Sequence, residues 1–190
     1  ALELLASTPD LAVDGFLLPG HVGVILGEEP FRFLPERFGV ACALAGFEAE
    51  DLASGIAELG RQVILGAWAV RSVYSRAVRP EGNLRARELL EEVFTPRRAL
   101  WRGLGEVDAS GLSLREGFAT FDARRRFPLP SFAAEETACA CGAVLTGRID
   151  PPACPLFGTA CTPASPVGPC MVSGEGSCAA HYRFGRGWTL

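Results

Sequence analysis

Six of the seven cysteines in this 190-residue chain fall between Cys139 and Cys178, in a stretch crowded with proline and glycine and nearly free of charge. They are Cys139, Cys141, Cys154, Cys161, Cys170 and Cys178, with Cys42 alone upstream. A segment this short and turn-rich cannot bury enough apolar surface to offset the entropy of ordering it. It needs a covalent or metallic staple. The paired CxxC knuckles of a zinc ribbon are absent, and Cys139-x-Cys141 is too tight to form one. The Cx2Cx2C run of bacterial ferredoxins is absent as well. Disulfides would suit a small secreted module, whereas a metal or redox site suits a chain that opens Ala1-Leu2-Glu3 with no basic n-region or cleavage site. A cytoplasmic location is therefore the expectation. Spacing leaves metal, disulfides and inert thiols open, and it does not pick four ligands out of six.

The rest of the chain has an ordinary core-forming pattern. Leu2 to Ala6 ends a helix, Asp14 to Pro19 is a short apolar strand, and Glu29 to Phe38 is a helix stopped by Gly39. Val40 to Phe47 is a continuous apolar run of the kind buried in parallel sheets. Glu50 to Leu65 repeats Leu52, Ile56, Leu59 and Val63 at helical spacing. Together these predict an α/β fold, a partial doubly wound parallel-sheet domain over residues 1–70, shortened on its N-terminal side. A connecting region over 71–130 follows, with Ser72–Arg79 as another strand or an extended crossing segment, a helix capped by Asn83, a strand over Arg102–Val107 and a helix over Leu114–Arg125. Phe127-Pro128-Leu129-Pro130 ends that helix, and residues 131–190 form the cysteine region.

Ligands of open α/β sheets gather at the carboxyl ends of strands. Gly20-His21 follows the first strand and Gly46-Phe47-Glu48 the second, which puts His21 and Glu48 on one rim. His21 can be read as a ligand, a general base or a loop residue held by a hydrogen bond. Arg76, Arg79 and Glu81 form a polar string expected to be solvated or paired across a domain boundary. Arg124-Arg125-Arg126 is expected to be a solvated helix end, and His181 a surface residue. No phosphate loop or GxSxG elbow occurs. All eighteen basic residues are arginine, so lysine chemistry is excluded. A net charge of −4 and a pI near 5.3 argue against nucleic-acid or anionic-membrane partners. No apolar run approaches the length of a membrane span.

Several strings resemble one family. Pro19-Gly20-His21-Val22, Ala45-Gly46-Phe47-Glu48, Tyr74-Ser75-Arg76-Ala77-Val78-Arg79-Pro80-Glu81-Gly82-Asn83 and Trp101-Arg102-Gly103-Leu104-Gly105 are similar to the second half of the HypD family of [NiFe]-hydrogenase maturation proteins. So are Phe157-Gly158-Thr159-Ala160-Cys161-Thr162-Pro163 and Cys170-Met171-Val172-Ser173. The family motif Cx14Cx6Cx16C matches Cys139, Cys154, Cys161 and Cys178 in all three gaps. The resemblance implies that these four hold a [4Fe-4S] cluster in the turn-rich, helix-containing final region. It further implies that Cys141 and Cys170 form an adjacent dithiol/disulfide pair, similar to that of ferredoxin–thioredoxin reductase. It implies a scaffold that works with HypC, on which an Fe(CN)2CO unit is assembled with cyanide from HypE.

The family's Cys-Gly-Gly-His and Gly-Pro-Gly-Cys-Pro-Val-Cys motifs do not occur in these 190 residues. The expectation is therefore a fragment whose partners include the missing N-terminal half. Cys42, inside an apolar strand, is expected to be a core thiol rather than the iron-binding one. Two rival readings remain: a zinc- or disulfide-stapled docking module, and a free-standing disulfide reductase.

Overall fold

The structure, a computed structural model, describes residues 1–101, 103–127 and 137–185. Arg102, the Pro128-Leu129-Pro130 stop and residues 131–136, where the cysteine region was expected to begin, lie outside the described residues. A parallel sheet in the order β1-β2-β3 organises the first part, with β1 at Gly15–Pro19, β2 at Ala41–Ala45 and β3 at Val70–Ser72. Its register pairs Gly15 with Ala41, Pro19 with Ala45 and Cys42 with Val70. Every residue of β2 is buried, as its unbroken apolar run predicts for a central parallel strand. Helices α1 (Leu2–Ala6), α2 (Gly20–Leu26) and α3 (Phe33–Phe38) pack around Leu18, Cys42 and Leu44 on one face. Gly20-His21 is thus not a loop but the first turn of a helix that starts directly from the strand.

Helix α4 (Ala49–Leu65) covers the opposite face. It approaches closely because the sheet offers small residues there. A side chain on Gly55 would press into Leu17 Cδ1 at 2.5 Å and Ala45 Cβ at 3.0 Å. The periodicity of Leu52, Ile56, Leu59 and Val63 predicts a helix, and the helix forms, but this stripe is not its buried face. Asp51, Gly55 and Gln62 are the buried positions instead.

Gln62, with no exposure at all, ties α4 to the sheet where β3 has yet to begin. Its Oε1 accepts from the amides of Cys42 (3.3 Å) and Ala69 (3.0 Å), and its Nε2 donates to the Cys42 carbonyl at 3.1 Å. Backbone groups that would otherwise be buried without partners are satisfied in this way.

Two glycines lock the end of α2 to the segment after β3. Gly27 (φ 78°) and Gly82 (φ 72°) lie back to back, where a side chain on either would strike the main chain of the other. Glu28 N–H donates to Pro80 O at 2.9 Å and Asn83 N–H to Ile25 O at 3.0 Å across the joint. Asn83 then caps α5 (Leu84–Val93), its Oδ1 accepting from Ala86 N–H at 3.0 Å.

A hairpin follows, β4 (Phe94–Trp101) against β5 (Gly105–Leu114), with Phe94 opposite Leu114. The sequence reading placed a strand only over 102–107, because Pro96, Arg97 and Arg98 interrupt the alternation that would have revealed β4. The helix expected over Leu114–Arg125 is a 3-10 segment, Glu116–Phe121, and a single turn, α6 (Ala123–Arg126).

Among the described residues the cysteine region contains three short α-helices, α7 (Cys141–Leu145), α8 (Pro169–Val172) and α9 (Ser177–Phe184), joined by turns. They share a small core of Cys141, Val144, Cys161, Cys170, Met171, Cys178 and Ala179. It touches the α/β unit where Ala12 N–H donates to Thr146 O at 2.8 Å. No described helix is long and apolar enough to cross a membrane.

Candidate cysteine centre

Short helices place two of the sulfurs in direct contact. Cys141 opens α7, Cys170 is the second residue of α8, and their Sγ atoms are 2.9 Å apart. The hydrogen bond from Cys170 draws the Cys141 thiol down to about 7, against the opposing effect of burial. Cys170 is pushed upward, first because it donates that bond and then by burial. The contact favours ionisation of one sulfur while its neighbour stays protonated. A thiolate held against a thiol needs only to lose two electrons and one proton to become a disulfide.

Cys161 and Cys178 share the small core with this pair, and Cys139 packs against it. Cys154 follows a 3-10 turn over Pro151–Ala153, Cys161 sits on a bridge with Phe157, and Cys178 is the second residue of α9. All three are buried, and Cys139, just before α7, is half-buried. Burial first, and then negative charge on Cys154, Cys141, Cys161 and Cys139, push the Cys178 thiol up to about 11. Cys139 is raised by burial, with Cys141, Cys154 and Cys161 adding to the effect. The four sulfurs thus lie within one electrostatic neighbourhood, where ionised thiols repel unless a cationic group lies between them.

Three features fit this donor set to an iron–sulfur cluster. The donors are soft thiols in an apolar shell. Val167 N–H donates to Cys161 Sγ at 3.3 Å, the kind of bond that tunes cluster sulfurs. Gly168 supplies room, since a side chain there would strike Cys139 Sγ. Among the described residues no group of three or more His, Cys, Asp or Glu side chains is placed to hold a metal ion. A one-ion cage needs its sulfurs about 2.3 Å from a single point, whereas a cubane binds each thiolate through a different iron.

Gly103, in the turn of the β4–β5 hairpin, comes close to Cys141. Gly103 (φ 86°) has its missing Cβ position 3.1 Å from Cys141 Sγ. Sequence reading did not foresee this contact. Its only trace is the Trp101-Arg102-Gly103-Leu104-Gly105 string, which has no cysteine.

At the carboxyl ends of β1 and β2 lies a second cluster of polar groups. His21 is exposed on the first turn of α2 and stacks on Phe47 with ring centroids 5.2 Å apart. Glu48, also exposed, is the N-cap residue of α4. Beneath them Asp51 is buried and gripped by Arg76 through two bonds of 2.6 Å. The bond from Arg76 holds the Asp51 carboxyl below the usual range, helped by the Glu48 amide and opposed by burial.

Arg76 also lies over the Tyr74 ring at 4.4 Å, and Gly46 leaves the space in which Asp51 and Tyr74 meet. Arg76 is therefore paired within the α/β unit, not across a boundary. Asp51 escaped the sequence reading, although an acid at the third helical position, reaching back to the N-cap amide, is a capping-box signal. Arg79 and Glu81 line a separate open cleft of about 430 Å³ with Val24 and Asn83. His181 is half-buried, edge-on to Phe157 at 5.8 Å. Cys42 is fully buried, and burial pushes its thiol up to about 12.

Comparison with known proteins adds relatives to this geometry. The chain matches the HypD family model, described as the hydrogenase formation hypA family, over residues 1–185. It is 44% identical to hydrogenase maturation factor HypD2 of Bradyrhizobium diazoefficiens, over 98% of this chain and 51% of that protein. Identity is 44% to hydrogenase maturation factor HypD of Cupriavidus necator, over 92% of this chain and 46% of the relative. It is 39% to the Escherichia coli protein of that name, over 96% and 50%. The chain spans about half the length of the curated relatives it matches.

Proposed function

The chain belongs to the HypD family of hydrogenase formation proteins, and from that membership we propose that it serves [NiFe]-hydrogenase maturation in the cytoplasm as an iron–sulfur redox scaffold. In this reading Cys139, Cys154, Cys161 and Cys178 hold a [4Fe-4S] cluster, which when bound supplies single electrons at low potential. Cys141 and Cys170 form the redox pair. The thiolate and thiol close to a disulfide with release of two electrons and one proton, and reopening takes them back.

His21 and Glu48 form one wall of the cleft in which an Fe(CN)2CO unit is assembled. The Asp51–Arg76 pair fixes the start of α4 beneath them. HypC, HypE as the source of cyanide, and a polypeptide equivalent to the relatives' remaining half are the proposed partners. Nucleic acid and membrane are not among them.

The observation that supports this reading best is the sulfur–sulfur contact of Cys141 and Cys170 inside a small core that also buries Cys161 and Cys178. Anaerobically purified protein is expected to be brown, with about four irons and matching acid-labile sulfide per chain. Cys154→Ser is expected to remove the colour and Cys170→Ser to leave it largely intact. Colourless protein with less than about one iron after reconstitution would overturn the cluster reading, and about one zinc per chain would support a docking module instead.

A further inference from the structure

The hairpin of β4 and β5 is fastened at one end. Within it Arg98 Nε donates to Asp108 at 2.6 Å and Trp101 Nε1 to Ser110 Oγ at 2.8 Å, so the two strands hold each other. Its foot is tied to α5, where Arg115 N–H donates to Val93 O at 2.9 Å and Arg115 Nε to Glu91 O at 2.8 Å. Its tip has no such tie. Among the described residues no hydrogen bond joins the turn at Gly103 and Leu104 to α7. A ribbon bound at its foot and only resting at its tip opens locally at small cost.

What the tip rests on is one of the two sulfurs in contact. Cys141 is 3% exposed and Cys170 6%, so a reactant does not reach either freely. Gly103, whose missing side chain would lie 3.1 Å from Cys141 Sγ and 3.4 Å from Cys141 Cβ, is itself exposed. A single residue without a side chain therefore meets the sulfur on one side and solvent on the other. Gly142 permits the close approach from the α7 side, since a side chain there would strike Gly103 O at 2.9 Å. Enlarging Gly142 has to move the turn, because the atom in its way is main chain.

We propose that the β4–β5 hairpin is a hinged gate on Cys141, and that Gly103 and Gly142 determine which disulfides exchange with the pair. The proposal rests on reading Cys141 and Cys170 as a redox pair and is independent of the cluster. With the tip lifted, the Cys141 thiolate attacks a substrate disulfide, and a mixed disulfide forms as the first substrate thiolate leaves. The Cys170 sulfur then attacks Cys141 Sγ, giving up its proton and displacing the second substrate thiolate. Two electrons have passed to the substrate and the pair is closed. A compact disulfide needs a small lift of the tip and a bulky one a larger lift, so the gate selects by size.

The test uses the reduced 190-residue chain, kept anaerobic, and two probes: compact 2-hydroxyethyl disulfide and bulky oxidised glutathione. Closure of Cys141–Cys170 is followed by acid quenching, alkylation of the remaining thiols and mass spectrometry. Gly142→Ala, which pushes Gly103 aside, should speed closure by glutathione at least about tenfold and closure by the compact probe no more than about twofold. Arg115→Met, which loosens the foot and leaves α7 untouched, should act in the same direction. Gly117→Ala, where a side chain would meet nothing within 4 Å, should leave both rates unchanged. A change in thiol reactivity alone would speed both probes equally. Equal acceleration, or none, in variants with the parent's helix content would overturn the gate. A pair that closes with neither probe in any variant would overturn the redox-pair reading and the gate with it.

Discussion

Replacing Gln62 by leucine isolates the cost of leaving the strap between α4 and the sheet unmade. The side chains are similar in volume, so no large cavity forms and the loss is that of the hydrogen bonds. Three backbone groups lose their partner: the amide and carbonyl of Cys42, which is fully buried, and the amide of Ala69, which is half-buried. A buried group left unsatisfied costs about 1–3 kcal/mol. The two Cys42 groups bear that in full, while Ala69 recovers part of it from water. At about 1.5 kcal/mol for each Cys42 group and half of that for Ala69, the sum is about 4 kcal/mol. For a chain of this size that lowers Tm by roughly 10 °C. Urea unfolding followed by far-ultraviolet circular dichroism measures the loss. Hydrogen exchange at Cys42 and Ala69 should accelerate by local opening of the same joint. A leucine variant within about 1 kcal/mol of the parent would refute the reasoning, because it would mean the strand ends satisfy themselves without the glutamine.

Two further outcomes follow from titrating groups. Asp51 has a folded pKa below its unfolded value near 3.8, so its contribution to stability is complete above that value and is lost as pH falls through the lower folded pKa. Asp51→Asn should therefore flatten the acid limb of a stability–pH profile; an unchanged limb would show that the Arg76 pair adds nothing to it. Cys42 has the opposite sign. Its thiol ionises near 9 when unfolded and near 12 when folded, so stability should fall as pH rises across that window. Cys42→Ala should remove part of that fall, and native Cys42 should stay unmodified by a thiol reagent at pH 8 until the chain is unfolded.

The sheet was legible because its signals are local. Val40 to Phe47 reads as a buried strand from composition alone, and Asn83 and Gly39 mark helix ends by their chemistry. The orientation of α4 was not legible. Periodicity reveals that a helix has an apolar side but not which surface that side meets, and here the sheet presents alanines that accept Gly55 and Gln62 while leaving Ile56 outside. The hairpin was missed because Pro96, Arg97 and Arg98 occupy a ribbon exposed on both sides, which has no need of alternation. At the cysteine centre, counting gaps separated Cys141 and Cys170 from the other four only through a family pattern. The contact between those two sulfurs, and Gly103 above them, are tertiary facts joining residues far apart in sequence.

The joint between Gly27 and Gly82 bears on the order in which the molecule assembles. Helix α2, which carries His21, is fastened at its far end by main-chain bonds to Pro80 and Asn83, so α2 can be fixed in place only after β3 has joined the sheet. Contacts between residues so distant in sequence form late, once shorter loops have closed. The far end of α2 is therefore expected to be among the later parts of the α/β unit to settle. A chain arrested before residue 82 can complete the sheet's core and still leave the far end of α2 unfastened.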